Sequence, residues 1–205
     1  MEEYKRAVIQ QVVTRGLDPV VPLKPSGVEW LGDIPEHWEV RRLKSCIYNV
    51  IENEIDNDRG ICLALEHVES WTGRYWDAGP DFVLDSNTKY FQPNDVLFGK
   101  LRPYLAKVAR PDCHGICVGE FLVLRPTSKM LTSEFLEYLL RSQHTIDAVN
   151  ASTFGARMPR ADWQFIGDMH HAFPPLAEQA AIVAYLDNLT SDIDCLLYTS
   201  PSPRD

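Results

Sequence analysis

Apolar residues first recur at helical spacing near the start of the chain. Val8, Ile9, Val12 and Val13, with Tyr4 a turn earlier, lay a stripe along residues 3–15, and Gly16 stands where a C-cap belongs. Residues 17–27 then hold three prolines and Gly27, which reads as a linker or extended arm rather than a packed element. Residues 28–44 alternate aromatic and proline residues with charges. Trp30 and Trp38 are expected to fill the rim of a core, followed by a strand. Short β-rich runs bounded by Pro, Gly, Asn and Asp follow at residues 81–84, 96–98, 106–109, 116–118 and 121–124. Helical spacing returns over 132–149, with Thr132 or Ser133 as cap and an apolar face of Phe135, Leu136, Leu139, Leu140, Ile146 and Val149. A strand is predicted over 166–173, and a last helix from Pro175, whose ring suits a first helical turn. In that helix Ile182, Leu186, Leu189 and Ile193 are spaced as a coiled-coil seam. The seam spans barely two heptads, too few to stand alone, so the helix either packs on its own domain or belongs to a longer chain. The sum is an α+β fold, β-rich in the middle and helical at its ends.

The seam stops at residue 194. Residues 195–205, Cys-Leu-Leu-Tyr-Thr-Ser-Pro-Ser-Pro-Arg-Asp, match the translation of a transposon-based sequencing adapter, and are expected to be an artefact of that origin. Arg204 and Asp205 cancel, so the charge of the chain belongs to residues 1–194.

With 205 residues, 45% of them hydrophobic, there is material for one well-cored domain. Twenty basic against 29 acidic residues give a net charge of −9, which excludes a domain that is basic all over. A local basic surface remains open, because distant charge is screened within about 10 Å at moderate salt. No apolar run is long enough for a membrane span, the polar start is unlike a secretory signal, and five scattered cysteines suit a reducing cytoplasm.

Motifs for chemistry are mostly missing. Gly99-Lys100 is followed by Leu101 rather than Ser or Thr, with no glycine at the distance a phosphate loop needs, and there is no dinucleotide fingerprint. Phe173-Pro174-Pro175-Leu176 lacks the leading Asn or Asp and the closing aromatic of an amino-methyltransferase motif. Pro80-Asp81 leads only to Asn87-Thr88-Lys89, where a restriction-type nuclease needs an acid. Cys113-His114-Gly115-Ile116-Cys117 offers too few ligands for structural zinc, and His170 and His171, adjacent on a strand, point to opposite faces and cannot both complete it.

Against the acidic background, residues 98–110 carry Lys100, Arg102, Lys107 and Arg110 and no acid, with Pro103 marking a turn. Lys100, Arg102 and Tyr104 are expected on a loop between two strands. An arginine there can grip phosphate or the O6/N7 edge of guanine, a lysine can meet phosphate, and a tyrosine can stack. The plainer reading is a solvated turn whose cations pair with Glu52, Glu54, Asp56 or Asp58. Two further loops, with Arg157 and Arg160 in a Gly/Pro-rich stretch and Arg74 between Trp71 and Trp76, make a DNA-facing rim conceivable.

Three segments carry a resemblance. Residues 28–44, Val-Glu-Trp-Leu-Gly-Asp-Ile-Pro-Glu-His-Trp-Glu-Val-Arg-Arg-Leu-Lys, resemble the opening of a target-recognition domain in type I restriction–modification specificity subunits. Residues 94–105, Asn-Asp-Val-Leu-Phe-Gly-Lys-Leu-Arg-Pro-Tyr-Leu, are similar to that family's central strand-loop-strand. Residues 173–187, Phe-Pro-Pro-Leu-Ala-Glu-Gln-Ala-Ala-Ile-Val-Ala-Tyr-Leu-Asp, are similar to its strand-to-spacer-helix junction. They stand in the family's order and spacing, and the resemblance extends over residues 3–194.

The resemblance implies a β-rich recognition domain with packed helices, flanked by partial long spacer helices that pair as a coiled coil. On that reading residues 1–16 end one spacer helix, 17–175 form the DNA target-recognition domain, and 176–194 begin the next spacer. The chain would then be the C-terminal half of a two-domain subunit, or a naturally split half. It further implies a non-catalytic cytoplasmic protein that reads one half of a bipartite double-stranded DNA target and docks modification subunits, with a restriction subunit in the full complex. Pairing with a second recognition domain would complete the target. S-adenosylmethionine and ATP would belong to those partners, and this chain would bind neither. Arg102 and Arg157 are then the expected base readers, and Lys100, Lys107 and Arg160 the phosphate contacts, with Tyr104 and Arg74 as further candidates. Gln179, Ile182, Leu186, Leu189 and Ile193 are the expected subunit or helix interface. Two alternatives stay open: a helix-mediated interaction module that never touches DNA, and a DNA-modifying enzyme.

Overall fold

Residues 96–98 and 121–124 are apolar without alternation, the pattern of strands covered on both faces. A computed structural model, describing residues 2–51, 59–79, 82, 87–127, 129–153 and 158–199, shows what covers them. Strands β4 (Ile47–Val50), β10 (Phe121–Pro126), β7 (Val96–Gly99) and β8 (Val108–Ala109) form an antiparallel sheet in the order β4-β10-β7-β8. From this sheet Val96, Phe98, Val108, Leu122 and Leu124 enter one buried cluster, and Leu97, Ala109, Phe121 and Val123 enter another. Successive side chains on a strand leave opposite faces, so every position in these runs is used.

The first cluster is closed by helices. Helix α2 (Ser133–Arg141) contributes Phe135, Leu136, Tyr138, Leu139 and Leu140, and its Thr132 cap accepts a hydrogen bond from the amide of Phe135. Helix α1 (Glu2–Arg15) adds Ile9, Val12 and Val13. Helix α5 (Leu176–Thr199), which contacts α1 and α2, adds Ile182 and Leu186. Trp38 lies fully buried here and Trp30 packs partly buried against it. The second cluster is closed by a three-stranded sheet, β5 (Ile61–Leu63), β9 (Gly115–Cys117) and β6 (Lys89–Phe91), in which β5 runs parallel to β9. Losing a buried aromatic such as Phe135 from such a core costs about 3–5 kcal/mol.

Several expectations need correcting. Tyr4 is exposed, and the buried stripe of α1 runs instead through Lys5, Ile9, Val12 and Val13. The arm after Gly16 does pair: β1 (Leu23–Pro25) forms a two-stranded ribbon with β2 (Asp33–Pro35). The helix expected over 132–149 is two helices, because Ser142 leaves helical geometry (φ −66, ψ 146) before α3 (Gln143–Ala151). Its hydroxyl donates to the Leu139 carbonyl at 2.7 Å and lies 3.0 Å from the Thr145 hydroxyl, while its backbone amide also points to Leu139. A serine that satisfies a helix end itself removes the incentive to continue.

The strand expected over 166–173 is helical in its first three residues. Asp162 caps the short helix α4 (Trp163–Asp168), and only β11 (His170–Phe173) is extended, paired antiparallel with β3 (Glu39–Arg42). The strand expected over 81–84 falls almost wholly outside the described residues, where Phe82 alone is placed and lies in no strand. Helix α5 continues through Thr199. No helix among the described residues is long and apolar enough to cross a membrane.

Candidate nucleic-acid interface

The basic loop leaves the sheet at the end of β7 and is held by its backbone. Lys100 donates its amide to the Glu120 carbonyl (2.8 Å) and accepts from Ala161 (2.9 Å), and Arg102 donates to the Pro159 carbonyl (2.9 Å). These bonds and a Leu101–Arg160 bridge join residues 100–102 to 159–161. A 3-10 turn over Pro103–Leu105 follows, closed by Leu105 and Ala106 donating to the carbonyls of Arg102 and Pro103. Arg102 (φ 52) and Ala106 (φ 46), on either side of it, are both left-handed, a region that non-glycine residues seldom occupy. Such geometry persists only where neighbours over-determine it, and it is common at ligand-contacting sites.

The side chains divide sharply. Arg102 is exposed and makes no hydrogen bond or ion pair among the described residues, and Tyr104 is 46% exposed beside it. Lys100 lines an open cleft of about 460 Å³ together with Lys89, Arg160, Glu120, Asn87, Gly119 and Ile51. Among the described residues that line it, three cations face one carboxylate. Lys89 donates to the Phe121 carbonyl at 2.8 Å, and burial, helped by the charge of Lys100, pulls its ammonium pKa down. Arg160 is paired through Nη2 with Oε1 of Glu120 at 2.8 Å, on a well-exposed side chain. An exposed pair of this kind is worth about 0–1 kcal/mol, so a phosphate can displace the carboxylate.

Two of the expected contacts are used elsewhere. Lys107 turns inward, its Nζ donating to the carbonyls of Leu65 (2.6 Å) and Val68 (2.9 Å), and burial lowers its pKa. It is a staple between loop and scaffold rather than a phosphate contact. Arg74 donates from Nε to Oε2 of Glu69 at 2.5 Å, inside a tight turn. Arg110 meets Asn94, Glu134 and Glu137. Arg157 lies outside the described residues, as do the acids Glu52, Glu54, Asp56 and Asp58 that the plainer reading would have paired with the loop.

The residues expected at a subunit interface also face inward. Ile182 and Leu186 are fully buried and Ile193 is 4% exposed, while Leu189 is half-buried. Gln179 is sealed too: its Oε1 accepts from Thr132, and its Nε2 donates to the carbonyls of Met130 and Pro174. Apolar side chains at 4-3 spacing find a partner in the nearest apolar surface, and Ile182 and Leu186 enter the same buried cluster as α1 and α2.

Neither Lys89 nor Glu120 was expected at a nucleic-acid interface from the sequence. Neither stands in a basic run, and each reaches the cleft through strand pairing, Lys89 opposite Cys117 on β9 and Glu120 in the turn before β10. Cys117, in that same strand, has its thiol pushed up to about 12 by burial. No group of three or more His, Cys, Asp or Glu among the described residues could hold a metal ion.

The family model for the type I restriction modification DNA specificity domain matches residues 35–196. The chain belongs to this family. Among curated relatives of the specificity domain, the type I restriction enzyme EcoDI specificity subunit of Escherichia coli is 27% identical over 171 residues, covering 81% of this chain and 38% of the relative. The HsdS subunit from Thermoanaerobacter tengcongensis superposes with a TM-score of 0.62 at 17% identity, over 98% of this chain and 47% of that one. The S subunit of a type I restriction–modification system from M. genitalium gives 0.52 at 16% identity, over 79% and 41%. These two share the fold of the specificity domain, and this chain spans less than half the length of all three relatives.

Proposed function

We propose that this chain is a non-catalytic DNA specificity element, reading one half of a bipartite double-stranded target and working with modification subunits that bring S-adenosylmethionine and the methylating chemistry. A restriction subunit, with ATP, would join the full complex. The observation that supports this most is the state of Arg102: exposed, free of an ion pair among the described residues, and held left-handed on a backbone-pinned turn beside a cleft of three cations. A planar, pre-positioned guanidinium suits bidentate contact with guanine, while Lys100, Lys89 and Arg160 suit the neighbouring phosphates. The net charge of −9 limits affinity for arbitrary DNA, which favours discrimination. α1 and α5 are read as parts of the spacer helices.

The test is selection from a pool of randomised DNA duplexes by the chain assembled with its modification subunit. Enrichment of a defined half-site, with affinity falling as salt rises, is the expected result. A stable complex that enriches no sequence would overturn the reading in favour of a pure interaction module.

A further inference from the structure

The turn that presents Arg102 and Tyr104 is gripped from behind by a segment that helix α1 grips in turn. The Trp71 amide donates to the carbonyl of Ala106 at 3.2 Å, closing the far end of that turn. Trp71 is itself left-handed (φ 68), an uncommon state for a bulky residue, and its ring packs against the main core. Over that ring sits the Arg6 guanidinium of α1, 4.0 Å from the centroid. Its neighbour Lys5 is almost fully buried. The Glu69 carboxyl is held below its usual range chiefly by a hydrogen bond from Arg74, with Lys5 contributing its charge. Glu69 also accepts from the Thr72 hydroxyl (2.9 Å), and its amide bonds the Arg74 carbonyl (2.8 Å), so residues 69–74 form a rigid loop. Lys107 ties the residues just before that loop through the carbonyls of Leu65 and Val68.

We propose that Trp71, seated under Arg6 of α1, is a positioning residue for the turn over residues 102–106, so that the docking of α1 sets the attitude of the reading surface. The mechanical link stands on the contacts alone. Its consequence for sequence choice rests on the DNA-reading role proposed above. A cation over an aromatic face fixes the ring without a directional bond, and the ring fixes the backbone amide that holds Ala106. If α1 were to shift, Trp71 would be free to leave its strained conformation, and the turn would lose one of the bonds that set its angle.

Hydrogen exchange on the full chain tests the link. Arg6→Ala and Trp71→Ala should accelerate exchange of the Arg102, Leu105 and Ala106 amides about tenfold, leaving β7 and β10 as slow as before, while Trp71→Phe stays near the parent. Unchanged exchange, or acceleration spread evenly through β7 and β10, overturns the proposal. Selection from randomised duplexes, with the modification subunit present, tests the consequence. Arg6→Ala should flatten preference at the same base positions as Arg102→Ala. An unaltered preference overturns the positioning role. A parent complex that enriches no sequence instead sinks the DNA reading, and exchange still decides the link.

Discussion

Arg125 grips Asp95 with both ends of its fork, Nε and Nη2 each lying 2.6 Å from a carboxylate oxygen, and Asp95 is 1% exposed. The pair ties β10 to the residue just before β7, and Asp95 also accepts from the Gln92 amide at 2.8 Å. The carboxylate holds the guanidinium pKa above its already high value. Removing one member of such a pair strands the other charge. Asp95→Asn should therefore cost about 3 kcal/mol in denaturant unfolding, and Arg125→Lys, which keeps charge but not the fork, distinctly less. An Asp95→Asn protein within about 0.5 kcal/mol of the parent would refute this account of the pair.

Lysines 100 and 107, seven positions apart on one loop, should behave oppositely. Lys100→Ala is expected to weaken DNA binding about equally for all sequences and to reduce the salt slope by about one, with no loss of stability. Lys107→Ala leaves two inward carbonyls without their donor and should cost about 1–3 kcal/mol of folding stability, with the salt slope unchanged. Salt titrations beside thermal melts separate the two. Arg102→Ala should instead relax choice at one base position, by about 1–3 kcal/mol.

Glu120 competes with phosphate for Arg160. Glu120→Gln releases that guanidinium and removes a negative charge from the cleft. Affinity for random-sequence duplex should rise, and the margin between preferred and random DNA should narrow. Fluorescence anisotropy with both probes reads this directly; equal or weaker binding to random duplex would show that the cleft does not meet the backbone.

His171 is fully buried, with neither ring nitrogen hydrogen-bonded among the described residues, between Trp30 and Phe173 and next to His170. Burial pushes its pKa down to about 3, with the charge of His170 adding to the effect. The folded form stays neutral while the unfolded chain takes up a proton near pH 6.5. Its contribution is therefore complete above about 6.5 and is lost as pH falls toward 3, at up to about 1.4 kcal/mol per pH unit. The difference in stability between the parent and His171→Phe should grow in favour of the variant between pH 6.5 and 4.5. Parallel curves would mean that the imidazole finds a partner when protonated.

Much of the architecture was legible where packing and local preference agree. The short β-rich runs at 96–98 and 121–124 announced β7 and β10, and Thr132 with the face through Phe135 and Leu139 announced α2. Reading failed where a short polar side chain satisfied the backbone locally. Ser142 split one helical pattern into two, and Asp162 began a helix that runs into what looked like the start of a strand; an Asp three residues ahead of Phe165 and four ahead of Ile166 was the available signal. The candidate site was legible in its loop and not in its cleft. Lys100, Arg102 and Tyr104 lie together in the chain, whereas Lys89 and Glu120 reach them only through pairing across three strands. Which cations are spoken for was invisible, since the carbonyls of Leu65 and Val68 that bind Lys107 carry no signature in composition.

The corner at Ser142 lets α3 run beneath the turn over residues 103–105 instead of continuing away along the axis of α2. That turn therefore rests on a floor separate from the sheet, and the bonds that fasten the residues flanking it, Lys100, Arg102 and Ala106, to Ala161, Pro159 and Trp71 all run from amide to carbonyl. Peptide groups are the same whatever side chain they carry. The positions that face outward, Arg102 and Tyr104 among them, can thus be rewritten without altering how the loop is attached, and a new target preference can be tried on an unchanged body.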